Sequence, residues 1–178
     1  MMKSLTLGAA GVATSANVYT IDINGAQLFA AGLIDGLVMK DNLPEMQKCL
    51  GEVKKVAPEV QNIVNELSKG DLTDVIKGIK DAVALVQELP TDLDDCKNVQ
   101  DDLTKLKQWS NEFITPEGEM KIVENVMANW GTIQTDIGTI NSDMQSDQYT
   151  EAGETAADVV ILALGHIDSP KPEVAYLY

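Results

Sequence analysis

Seven side chains, Met46, Cys49, Val53, Val56, Val60, Ile63 and Leu67, recur at alternating steps of three and four, and no other feature narrows the fold as much. Such steps bring residues to one side of an α-helix, whereas a strand would scatter them over both of its faces. The seam predicts a helix over 43–69, capped by Asn42 with Glu45, kinked at Pro58 and ended by Lys69-Gly70. A helix with one apolar face needs others to cover it, so the rest of the chain must supply them.

It does. A helix over 24–39, capped by Asn24, is apolar at Leu28, Phe29, Leu33, Leu37 and Val38, and its Gly32 and Gly36 leave a smooth strip where another backbone can approach. Asp71 caps a third helix, apolar from Leu72 through Val75, Ile79, Val83 and Val86 to Leu89 and closed by Pro90. Thr91 opens a fourth that buries Leu93, Cys96, Val99, Leu103, Leu106 and Phe113. Thr115-Pro116-Glu117 starts a fifth, whose Met120, Val123, Met127, Trp130, Ile133, Ile137, Ile140 and Met144 repeat the spacing. A sixth, from Ser146 to Leu164, carries small residues at Ala152, Gly153, Ala156 and Ala157. The alternation over 18–23 predicts a short edge strand. Aromatics at only 4% of 178 residues fit helices better than sheets. The expected fold is all-α: an antiparallel helical bundle of five to six helices, one domain over 18–166, with extended arms at both ends.

The arms carry separate expectations. Residues 1–17 start with Lys3 and pass through a short apolar run to small residues at Ala13, Ser15 and Ala16, which reads either as a signal peptide or as a retained N-terminal arm. Residues 167–178 hold Pro170 and Pro172 before an apolar, aromatic end, Val174 to Tyr178, suited to a docking arm or a free tail.

Charge excludes one class of partner. Thirteen basic residues against 28 acidic ones leave −15, with no basic stripe to displace counterions from nucleic acid. The densest acidic patch, Asp92, Asp94 and Asp95 with Asp101 and Asp102, lacks the ligand spacing and glycine of a calcium loop and suits a helix N-terminus instead. His166 is the single histidine. No phosphate-binding glycine loop, zinc spacing or paired acid and base stands out, so no catalytic residue, metal or cofactor is assigned.

The two cysteines admit two readings, buried thiols or a disulfide. Cys49 lies seven residues after its cap at Asn42 and Cys96 five after Thr91, a difference of about 3 Å along two helices that alternating directions make parallel. Matched depth favours the bridge, and the absence of local positive charge disfavours a nucleophilic thiol.

Phe29-x-x-Gly32 with Gly36, a cysteine opening the next helix at Cys49, a second at Cys96, and Tyr149-x-x-Ala152-Gly153, after a leader-like start, resemble a group of short secreted helical proteins of unassigned function from ciliate protists. The resemblance implies an extracellular or secretory-vesicle domain with a Cys49–Cys96 bridge, and brings no activity. The sequence thus points to a non-enzymatic structural or interaction protein, a subunit of a larger assembly through a protein partner or self-assembly. Its candidates for partner contact are Gly32, Gly36, Gly153, Tyr176, Leu177 and Tyr178. The alternative is a carrier holding an apolar ligand such as a lipid between its helices.

Overall fold

The computed structural model describes residues 18–38, 43–51, 55–93 and 96–167. Among them the protein is all-α, with eight α-helices, one short 3-10 helix and no strand. Segment 1–17, the Asn42 cap, Val53, Asp94, Asp95 and the arm from 168 to 178 lie outside the described residues.

Helix α1 (Ile23–Val38) is started by Asp22 and not by Asn24: the Asp22 Oδ1 accepts from the Gly25 amide at 2.7 Å. The residues before it, expected as an edge strand, run along α3 (Val56–Lys69) instead. There the Ile21 amide donates to Gln61 Oε1 at 2.9 Å, the Tyr19 amide donates to Asn65 Oδ1 at 3.3 Å, and Gln61 Nε2 donates to the Tyr19 carbonyl. Side-chain amides satisfy the backbone that a neighbouring strand would have paired.

The long second helix is two. Helix α2 (Leu43–Leu50) ends well before α3, and Pro58 falls in the first turn of α3, where a missing N–H breaks no hydrogen bond. Gly70 closes α3 at φ 72°, a left-handed conformation that glycine adopts without a Cβ clash, and its N–H reaches the Leu67 carbonyl at 3.2 Å. Asp71 then caps α4 (Leu72–Asp92), accepting from the Asp74 amide at 3.0 Å. The two helices run antiparallel, as the pairs Glu66–Lys77 (2.6 Å) and Lys55–Asp92 (3.5 Å) show.

Two boundaries move for stated reasons. Helix α4 continues through Pro90 to Asp92, because proline in a last turn removes one hydrogen bond at an already fraying end. The next helix, α5 (Gln100–Ser110), therefore starts nine residues later than Thr91, after turns in which Cys96 N–H bonds the Leu93 carbonyl and Val99 N–H that of Cys96. A short 3-10 helix (Asn111–Phe113) follows, with Trp109 and Phe113 edge to face at 5.4 Å. The predicted fifth helix divides at Asn129 into α6 (Pro116–Ala128) and α7 (Trp130–Gln145), and α8 (Tyr149–Leu164) returns along α7.

Helix α8 is central, packed by α1, α6 and α7. Its closest neighbour is α1, and the two run parallel: Gly25 lies against Tyr149, Gly32 against Thr150 and Glu154, and Gly36 against Ala157. A Cβ at Gly32 would strike the Thr150 carbonyl oxygen, and one at Gly153 the Phe29 carbonyl oxygen. Gly32, Gly36 and Gly153 are thus engaged with each other's helices inside the chain. Phe29, Leu33 and Ile34 of α1 and Ala152, Ala156, Val159 and Ala163 of α8 are all buried in the core without measurable exposure.

Candidate interaction surface

The structure joins Cys49 and Cys96 in a disulfide with Cα atoms 5.9 Å apart, linking α2 to the turns before α5. Cys96 sits in those turns and not on a helical seam, so the two cysteines meet by a different route from matched depth along parallel helices. Beside the bridge opens a cleft of about 580 Å³ lined by Pro44, Glu45, Lys48, Lys97 and Asn98 with the two cysteines. Glu45, Lys48 and Lys97 are its charged residues.

Charged groups elsewhere answer one another within the fold. Glu66 accepts from Lys69 at 2.7 Å and from Lys77 at 2.6 Å, and those two lysines hold its carboxyl down at about 2. Glu59, half-buried between α3 and α4, is pushed up to about 7, first by burial and then by the hydrogen bond and charge of Glu88 and the charge of Asp92. Asp92, from the acidic patch read in the sequence, pairs with Lys55. Among the described residues, no three His, Cys, Asp or Glu side chains are grouped to hold a metal ion, and no helix is long and apolar enough to cross a membrane.

Four of the seven exposed large apolar side chains among the described residues lie at the entry of α6 and along it. Its amphipathic pattern holds two apolar stripes, and the core takes only one. Ile122 and Val126 are fully buried, while Met120 is 64% exposed, Met127 61% and Val123 37%. Steps of three and four place Met120, Val123 and Met127 in one row on the outer side. Ile114, just before the helix, is 57% exposed. An isolated exposed methionine is ordinary; four large apolar residues on one helix and its entry are a patch.

Three anchors fix which stripe turns outward. At the start, Thr115 Oγ1 accepts from the Gly118 amide at 3.0 Å and donates to the Glu112 carbonyl at 3.1 Å. At the side, Lys80 of α4 reaches Glu119 at 2.7 Å. At the end, Asn125 Nδ2 donates to the Ala163 carbonyl at 2.8 Å, and Asn129 Nδ2 donates to those of Asn125 at 2.9 Å and Leu162 at 3.3 Å. The two asparagines satisfy the free carbonyls at the end of α8 and pin the far end of α6 to it. The exposed row therefore sits on a helix held at its start, its side and its end.

Carboxylates accompany the row. Glu117 lies three residues before Met120, and Glu124 lies four after Met120 and three before Met127, so both are immediate neighbours on the helix surface and both are exposed. Lys121 is the one cation on α6. The spacing in the sequence runs Met120, Val123 and Met127 into Ile133 and Ile137 as one predicted helix. The break at Asn129 separates the two, and only the α7 residues are buried. The signal available in the sequence was the second stripe, Ile122 with Val126. Of the partner-contact candidates read from the sequence, the three glycines lie in the α1–α8 contact, and Tyr176, Leu177 and Tyr178 fall outside the described residues.

Residues 11–164 match a protein family described as SctB-like, secreted protein B-like. No curated protein and no solved structure matches the chain.

Proposed function

The chain belongs to the SctB-like, secreted protein B-like family, and from that premise we propose that it is a non-enzymatic helical interaction protein, a subunit of an extracellular or multi-subunit assembly, which binds another protein along the outer stripe of α6. The exposed row of Met120, Val123 and Met127 supports this reading most directly. Methionine is unbranched and polarizable, so it moulds to a partner's side chains at modest cost. An oxidising compartment agrees with the Cys49–Cys96 bridge, which also leaves no thiol free for nucleophilic chemistry.

A second copy of the chain is the weaker occupant. Each copy carries −15, and two stripes face to face would bring Glu117 and Glu124 of both into one interface. The test is the variant Met120→Lys/Met127→Lys expressed in place of the natural chain. Both side chains are exposed, so thermal stability should change by no more than about 0.5 kcal/mol. The assembly recovered under native conditions should meanwhile lose this subunit. An assembly that keeps the variant at full occupancy would sink the proposal.

A further inference from the structure

We propose that the segment received by the α6 stripe is a basic amphipathic helix of the partner protein. This rests on the reading of α6 as a protein-binding face and adds the chemistry of what binds there. The stripe offers apolar side chains at positions 120, 123 and 127, so a helical partner with anchors at the same steps matches it row to row. The groups beside the methionines are carboxylates. Glu117 and Glu124 are exposed, whereas Glu119, on the flank toward α4, is already paired with Lys80. A partner bearing lysines or arginines beside its apolar row would meet the two exposed carboxylates, and an acidic helix of equal hydrophobicity would be repelled. The net charge of −15 adds attraction at long range.

The experiment titrates the full-length, disulfide-intact protein with three fluorescent peptides of equal length: an amphipathic Leu/Lys helix, its Leu/Glu counterpart, and a scramble of the first with no apolar face. The Leu/Lys helix should bind at least about tenfold more tightly than either control, the preference over Leu/Glu shrinking as salt rises. Glu117→Gln/Glu124→Gln should weaken that binding by about tenfold, and Met120→Ser/Met127→Ser, with charge unchanged, by at least as much. Equal binding of Leu/Lys and Leu/Glu helices would overturn the proposal while leaving α6 a protein-binding face. Equal binding of the scramble, or binding that survives the serine variant, would overturn it as general attraction to an acidic protein. Two further results would reassign the face. A dimer dissociated by Met120→Lys would give it to a second copy. Protection of Met120 and Met127 from peroxide in the lone monomer would give it to a segment of the chain itself.

Discussion

At the scale of single residues, the glycines divide by what surrounds them. Gly32 and Gly153 stand where two backbones touch, and an added methyl at either would meet a carbonyl oxygen that only a shift of the whole helix could clear. Gly32→Ala and Gly153→Ala should each destabilise by about 3 kcal/mol or more, with the loss seen in chemical denaturation. Gly138, inside α7, has nothing within 4 Å of the place its Cβ would occupy. There the methyl only narrows the unfolded ensemble, so Gly138→Ala should stabilise by roughly 0.5–1 kcal/mol. If both kinds of substitution cost alike, close approach of α1 and α8 is not what selects glycine.

At the scale of elements, the α3–α4 pair carries two carboxylates displaced in opposite directions. Glu66, held at about 2 by its two lysines, contributes stability that is whole above its ordinary value of 4.5 and is lost as pH falls towards 2. Glu59 works the other way. Its folded value of about 7 lies above 4.5, so the folded protein binds a proton more tightly than the unfolded chain does, and stability declines as pH rises from 4.5 to 7. Partial exposure screens this to about 1 kcal/mol. The melting temperature should therefore be highest near pH 4.5 to 5, and Glu59→Gln should flatten the decline on the neutral side. A parallel decline in wild type and variant would show that the Glu59–Glu88 contact is not its source.

Elements were legible in the sequence where local chemistry decides them. Asp71, Gly70 and Thr115-Pro116 mark ends by hydrogen bonds that their own neighbours complete. What was not legible depends on remote groups. Asn129, where α6 gives way to α7, reaches the Leu162 carbonyl 33 residues away, a contact that local spacing does not announce. With two apolar rows on α6, periodicity alone could not say which one the core would accept. The candidate surface is thus written in the sequence as a surplus of apolar positions, and only packing reveals which row is left over.

At the scale of the molecule, the Cys49–Cys96 bridge closes a span of 47 residues around α3 and α4. Cys49→Ser/Cys96→Ser should lose about 3–4 kcal/mol in the chain-entropy account, read as a lowered denaturant midpoint, while the helical circular dichroism signal of the folded protein is retained. A double variant of unchanged midpoint would mean that the surrounding helices already hold the two segments in place. The parallel contact of α1 with α8 acts over a longer reach, since Gly32 and Gly153 stand at opposite ends of the described chain. A chain emerging from the ribosome or a translocation channel presents α1 first and cannot cover its Gly25, Gly32 and Gly36 face until α8 follows. The rate at which this protein folds is therefore tied to its slowest loop closure, and completion of the α1–α8 contact must await the last of the described helices.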